Sequence, residues 1–240
     1  MKISIITACM NAGNTIEETI LSVINQTYFD IEYIIIDGAS TDNTVNIIDK
    51  HKDKISYFVS EPDSGIYEAM NKGINASTGD YLFFLNADDT FLHNNMIKLV
   101  VNKISKNTAE LVWGDLAFLD KRSGKFYIKK QDKLNKIYLL KNTPPQPALF
   151  YKKSVFDKVG LFNANYKIVS DHEFILKALL EHKVSYKYVG FPITIFNIGG
   201  ISTNPAGAMH NKEKMEMLSQ FYTPFERKIY NLIAKWLKIQ

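Results

Sequence analysis

Asn86, Asp88 and Asp89 follow directly on the apolar run Tyr81-Leu82-Phe83-Phe84-Leu85. A short continuous apolar run fits a strand buried on both faces. Two neighbouring carboxylates at such a strand end are desolvated and repel each other unless a cation neutralises them. Oxygen-only ligands on a loop suit a hard divalent ion, Mg2+ or Mn2+, whose remaining shell is filled by water and substrate phosphates. The stretch therefore predicts a metal-diphosphate site, against the plain alternative of a polar turn after a core strand.

Other polar groups stand in comparable places. Asp37-Gly38 closes the apolar run 33–36 and is followed by Ser40-Thr41-Asp42. A carboxylate there accepts hydrogen bonds from a base or ribose, and Gly38 lets a ligand approach the backbone. Thr7, Ala8 and Asn11 lie at the end of the first apolar run, and Asp63 follows the third. Lys72 sits on the helix expected after Asp63, where a lysine reaches phosphate or remains a solvated surface residue. Asp171, His172 and Glu173 open a later helix. Carboxylates in a first helical turn are favoured by the dipole, and one of them is also well placed to act as a general base.

The elements that must position these groups alternate. Strands are expected at 3–9, 33–36, 55–59 and 81–85, with helices at 16–26, after 42, and at 66–76. Thr15 and Glu18 have the spacing of a capping box. Such alternation builds βαβ units and a mainly parallel sheet. Loops after parallel strands share one sheet edge, so Thr7, Asn11, Asp37, Asp63 and the 86–89 stretch should converge. Beyond residue 90 we expect a helix at 94–104, strands at 111–115, 148–151, 184–189 and 193–197, a hairpin around Arg122-Ser123-Gly124, and helices at 154–159 and 170–181, the last capped by Ser170.

Composition narrows the function classes. The 240 residues are 46% hydrophobic and 22% charged, with a net charge of +4. No dense Lys/Arg block is present, which argues against nucleic-acid binding. Cys9 is the only cysteine, so no intrachain disulfide forms and a reducing compartment is expected. No signal-peptide pattern and no membrane-spanning apolar run occurs, which predicts a cytoplasmic protein. Cys9-Met10-Asn11-Ala12-Gly13-Asn14 replaces the glycine-rich dinucleotide fingerprint after the first strand, so NAD is not expected. Zinc-like His/Cys spacing and Gly-x-Ser-x-Gly are also missing. From Pro224 onward, Phe225, Ile229, Leu232, Ile233, Trp236 and Leu237 recur at helical spacing, with Arg227, Lys228, Lys235 and Lys238 mainly on the other side. Two readings of residues 224–239 stay open: peripheral contact with an anionic membrane, or packing on the same domain or a second subunit.

Taken together, the chain resembles the inverting family 2 glycosyltransferases of the GT-A fold. The resemblance rests on Ile5-Ile6-Thr7-Ala8 with Asn11, Ile36-Asp37-Gly38-Ala39-Ser40-Thr41-Asp42, Ser60-Glu61-Pro62-Asp63-Ser64-Gly65-Ile66-Tyr67, Lys72, and Asn86-Ala87-Asp88-Asp89. Trp113-Gly114-Asp115, Gln146, Ser170-Asp171 and Gly199-Gly200-Ile201-Ser202 extend it. It implies an α/β GT-A fold with a mainly parallel, Rossmann-like central sheet flanked by helices. One domain would span 1–205, divided into a nucleotide-sugar half (1–105) and an acceptor half (106–205), with a C-terminal helical segment at 206–240.

The implied activity is metal-dependent transfer of one sugar from a nucleotide-diphosphate sugar, with UDP the expected carrier. The acceptor would be a hydroxyl of a glycan or lipid-linked molecule, at the inner face of the cytoplasmic membrane. By the same resemblance Thr7, Ala8, Asn11, Asp37, Gly38, Asp63, Lys72, Asn86 and Ala87 look like nucleotide contacts, Asp88 like the Mn2+ or Mg2+ ligand and Asp171 like the general base. Trp113, Asp115 and Gln146 would hold donor or acceptor sugar. Asn86 departs from the first Asp of the family's Asp-x-Asp motif, and Ser170-Asp171 from its commoner acidic pair. A nucleotidyltransferase or a non-catalytic nucleotide-sugar binder on a similar scaffold are the alternatives.

Overall fold

The computed structural model describes residues 1–106, 108–130, 132, 134–197 and 208–236. The expected matches at 199–202, and Leu237 and Lys238 of the C-terminal segment, lie outside the described residues.

Four parallel strands form one side of the sheet: β1 (Ile3–Cys9), β2 (Ile31–Asp37), β3 (Tyr57–Ser60) and β4 (Tyr81–Phe84). They are joined by helices α1 (Ile16–Ile24), α2 (Thr44–Asp49) and α3 (Ile66–Ala76). A two-residue strand β5 (Thr90–Phe91) and helix α4 (Met96–Ile104) follow. Then come β6 (Leu111–Asp120), β7 (Lys125–Lys129), α5 (Lys136–Leu139), β8 (Leu149–Lys152), α6 (Ser154–Val159), α7 (Ser170–Leu176), β9 (Tyr186–Asn197), α8 (Ala208–Phe221) and α9 (Pro224–Trp236). The described strands make one sheet in the order β3-β2-β1-β4-β8-β6-β9-β5, with β7 paired to β6. Strand β8 runs antiparallel to both β4 and β6, which are therefore parallel to each other, as is β9 to β6.

Strand alternation splits the core into two layers. Ile3, Ile5 and Cys9 of β1 pack with α1, α2 and α4. Ile6 faces the opposite layer, with α3 and the aromatic cluster Phe84, Tyr151, Phe156, Phe162 and Phe174. Helix α3 lies close on the sheet because Gly73 has no side chain: a Cβ there would stand 2.4 Å from Ile6 Cγ2.

The structure corrects several expectations. The two strands expected at 184–189 and 193–197 are a single strand, β9. Gly190 takes φ +82° and the β6–β9 ladder shifts register around Asp115, so the strand bends without ending. The capping box is not made. Thr15 receives only a backbone bond from Glu18 N, and its hydroxyl donates to Ala12 O. Helix α7 starts after Val169, not at a Ser170 cap, and its last turn widens into a π-helical segment, Lys177–Glu181.

Replacing Gly73 by Ala forces α3 away from β1. The variant is expected to lose about 1–3 kcal/mol of stability and to melt about 2–10 °C lower. Thermal unfolding by circular dichroism checks this, and an unchanged melting temperature contradicts the close approach.

Candidate active site

Parallel pairing brings the ends of β1, β2, β3 and β4 to one edge. The loops there are tied to one another. Asn11, at φ +51°, receives Thr41 N on its side-chain oxygen at 2.9 Å and donates its own N–H to Ser40 Oγ at 2.7 Å. Gly13 N donates to Asp42 Oδ2 at 2.9 Å, and Gly38 N to Cys9 O at 2.9 Å.

Asp37 is wholly buried at the centre of these ties. Its carboxylate accepts from Ser40 N (2.9 Å), Ser40 Oγ (2.5 Å), Ser60 Oγ (2.6 Å) and more weakly Cys9 Sγ (3.6 Å). That fills the acceptor capacity of a carboxylate. The group expected to touch a base or ribose thus braces three strand ends. Thr7 is also buried, with its hydroxyl 3.2 Å from Tyr33 OH in the α1/α2/α4 layer, so its side chain faces the core. Ala8 is half-buried on the other face. Gly38 meets Asp63, since a Cβ at Gly38 would stand 2.7 Å from Asp63 Oδ2, and Asp63 Oδ1 accepts from Gly65 N at 2.9 Å. Lys72 reaches Pro62 O (3.1 Å) and pairs with Glu61 (2.8 Å), so its ammonium is engaged within the loop after β3.

Beyond β4 the two acids part. Asp89 is buried, accepting from Asn86 Nδ2 at 3.0 Å and from Asn197 N at 3.2 Å. Burial, then the charge of Asp88, pushes its carboxyl up to about 8. Thr19 of α1 donates to Asp89 O at 2.8 Å. Asp88 is half-buried; its carbonyl accepts from Asn197 Nδ2, and among the described residues no residue other than Asp88 itself donates a hydrogen bond to its carboxylate. Burial raises its proton affinity, and Lys121 opposes this. A desolvated carboxylate left open in this way fits a hard cation that takes one protein ligand and completes its shell with phosphate and water. Among the described residues no cluster of three His, Cys, Asp or Glu side chains could hold a metal, so Asp37, Asp88 and Asp171 do not together form one.

The contrast with the opposite sheet edge is instructive. Glu32 there accepts from Ser4 Oγ, Thr78 N, Thr78 Oγ1 and Lys2 Nζ at 2.6–2.9 Å. Burial alone would raise its carboxyl, but these donors together hold it at about 2. Its four donors occupy the Glu32 carboxylate, whereas the Asp88 carboxylate accepts from no other described residue.

Asp171 lies in the first turn of α7 and accepts from Tyr67 OH at 2.9 Å. Tyr67 is the second residue of α3, which starts at the same edge as the strand-end loops. Burial raises the Asp171 carboxyl, while Tyr67 lowers it. The same hydroxyl is 2.8 Å from Ile168 O, and a single proton serves only one acceptor at a time. Tyr67 was not singled out by sequence, although its place two residues after Gly65, at a helix start beyond a strand, was the available signal. Among the described residues, Ser170 Oγ and Tyr151 OH lie buried without a hydrogen-bond partner, and Asp171 acts electrostatically on Tyr151. The neighbours of Asp171 are structural. His172 is buried with Nε2 2.7 Å from Leu139 O and is pushed down to about 4 by burial, and Glu173 is buried beside Lys177 at 3.1 Å.

The three sugar-binding candidates divide. Gln146 is half-buried, with Nε2 3.3 Å from Met70 Sδ of α3. Asp115 is buried and accepts from Tyr188 OH at 2.7 Å. Trp113 is 2% exposed, packed against Tyr186 and Tyr188, and is a core residue, not a platform for a sugar ring.

Comparison with known proteins identifies the family and the fold. The family model described as glycosyl transferase family 2 matches residues 4–162. The chain is 34% identical over 184 residues to an uncharacterized glycosyltransferase of Mycobacterium tuberculosis, covering 74% of this chain and 69% of that protein. It is 27% identical to a PGL/p-HBAD biosynthesis glycosyltransferase of Mycobacterium bovis, covering 98% and 91%. Among solved structures, S. aureus TarS 1-349 in complex with UDP-GlcNAc superposes with a TM-score of 0.74 at 16% identity. This chain is covered to 92% and spans 65% of that one. The mannosyltransferase PcManGT from Pyrobaculum calidifontis, in complex with GDP-Man and Mn2+, gives 0.70 at 15% identity, covering 97% and 69%. These likenesses show the fold.

Tyr67→Phe removes a donor that favours ionised Asp171. The Asp171 carboxyl is expected to titrate at higher pH in the variant, followed by carboxyl-carbon NMR. A shift to lower pH, or none, contradicts the Tyr67 contact.

Proposed function

The chain belongs to glycosyl transferase family 2, and from that premise we propose that it moves one sugar from a nucleotide-diphosphate sugar, UDP-linked, to a hydroxyl of a glycan or lipid-linked acceptor, with inversion. The reading is carried by one observation: a desolvated carboxylate, Asp171, held by Tyr67 at the sheet edge where, among the described residues, the Asp88 carboxylate accepts no hydrogen bond from another residue.

In this reading Asp171 takes the proton of the acceptor hydroxyl as that oxygen bonds to the anomeric carbon. The bond from that carbon to the diphosphate breaks on the opposite face, and the nucleoside diphosphate leaves. A divalent cation held by Asp88, Mn2+ or Mg2+, would neutralise charge on the diphosphate. Burial of Asp171 suits the base role, because a raised carboxyl accepts a proton more readily near neutral pH. Asp89, Asn86 and Asn197 hold Asp88 in place. Ala8, Gly38 and Asp63 line the nucleotide side, with Asn11, Asp37 and Lys72 fixing the loops around it. Gln146 and Asp115 stand on the sugar side, and residues 1–105 and 106–205 serve as donor and acceptor halves of one domain. The nucleotide sugars in the two solved relatives support this class of donor.

Asp171→Asn is expected to lower the transfer rate by at least about 10²-fold while leaving nucleotide affinity within a factor of two or three. Asp88→Ala is expected to abolish the gain in UDP affinity that Mn2+ confers, read by titration calorimetry with and without the ion. Transfer by Asp171→Asn near the wild-type rate removes that residue from the role. An unchanged Mn2+ effect in Asp88→Ala does the same for Asp88. The acid limb of the rate profile should lie above the usual carboxylate range, because ionised Asp171 is lost as pH falls through its raised value.

A further inference from the structure

The turn that leads into α7 is gripped from α8. The two carboxylate oxygens of Glu213 accept from consecutive backbone N–H groups of that turn, Lys167 N at 2.9 Å and Ile168 N at 3.0 Å. Gln220, further along α8, donates to Tyr166 OH at 3.0 Å. Helix α8 is itself fixed, because Met217 and Leu218 are buried in the same layer as Phe174 and Ile175 of α7. A further tie comes from the nucleotide side: Lys167 Nζ donates to Ser64 O, in the loop after β3. Two charge-assisted bonds to one carboxylate hold the backbone of residues 167 and 168 more firmly than neutral contacts would.

What is held there bears on Asp171. Ile168 O lies 2.8 Å from Tyr67 OH, and Tyr67 OH lies 2.9 Å from Asp171 Oδ1. The hydroxyl has one proton for these two acceptors. While the proton points at Ile168 O, the buried Asp171 carboxylate lacks that donor and binds a proton more strongly. While it points at Asp171, the ionised form is favoured. The held carbonyl therefore competes with the carboxylate for one donor. Asp171 also feels Tyr151 of β8, the N–H of His172 in α7, and His210 of α8, three residues before Glu213.

We propose that Glu213 is a positioning residue for Asp171, keeping the Ile168 carbonyl beside the Tyr67 hydroxyl so that carbonyl and carboxylate share it. This role rests on the reading of Asp171 as general base. Glu213 acts through Ile168 and Tyr67, not on the acceptor hydroxyl itself. A base that keeps a high proton affinity takes that hydroxyl's proton more readily near neutral pH. The match to the family model ends at residue 162, well before Glu213, so the family pattern does not assign this residue. The C-terminal segment thereby becomes part of the setting of the reaction.

The test follows the Asp171 carboxyl by carboxyl-carbon NMR in the full chain, without sugar donor. Glu213→Gln keeps the side-chain length but leaves one acceptor oxygen for two N–H groups. The Ile168 carbonyl is then released, Tyr67 serves Asp171 alone, and the carboxyl is expected to titrate about half a pH unit lower or more. In a Tyr67→Phe background the same substitution should move it by less than about 0.3. The acid limb of the transfer rate should follow the titration downward, with UDP affinity nearly unchanged. Lost charge or a loosened fold alone would shift the carboxyl equally in both backgrounds, and that result overturns the proposal. So does a shift to higher pH, or none. If the melting curve of Glu213→Gln shows that it does not fold, Glu213→Asp, which keeps both oxygens on a shorter arm, carries the same comparison. The titration does not depend on turnover, so an absence of transfer counts against the proposed function and leaves this test standing.

Discussion

Two adjacent carboxylates cannot both stay charged in a dry loop, and the division between Asp88 and Asp89 is what the candidate active site depends on. Asp89 is turned into the protein, where Asn86 and Asn197 share its oxygens and Thr19 holds its carbonyl. That single buried group joins α1, the loop after β4 and the end of β9. Asp88, its neighbour in the turn, is half-buried, and among the described residues no other residue donates a hydrogen bond to its carboxylate. The inward member fixes the loop so that the outward member can hold charge.

A comparable division runs through the rest of the edge. Asp37 and Asn11 hold the loops after β1, β2 and β3 in register, and Lys72 is engaged with Glu61. Most of the polar groups near the site therefore serve geometry, and few are open to a ligand. A rigid rim of this kind keeps the reacting groups at fixed separations, a main source of catalytic advantage in group transfer.

Much of this was legible in the amino-acid order. The β-branched and aromatic runs of β1, β2 and β4 and the helical spacing of α3 gave the parallel half and its shared edge. Strand parity could also have shown that Thr7 faces inward, because it falls in step with Ile5 and Cys9, whereas Ala8 falls in step with Ile6. The remaining differences have tertiary causes. Nothing local says that Trp113 is covered by Tyr186 and Tyr188 across a parallel ladder. The bend at Gly190 reads as a strand break unless the partner strand is known. Tyr67 and Asp171 are 104 residues apart in the chain, and only the fold reveals their contact.

Strand β8 runs against both of its neighbours and pairs with each. Phe150 joins one core layer and Tyr151 the other. The chain is therefore not modular across this seam. A chimera that took its second half from another enzyme would need the donor strand to match β4 to the residue, because a slip of one position would exchange the two aromatic rings between layers. Diversification of what such an enzyme accepts is accordingly easier in the connections and C-terminal helices than by exchange of whole halves.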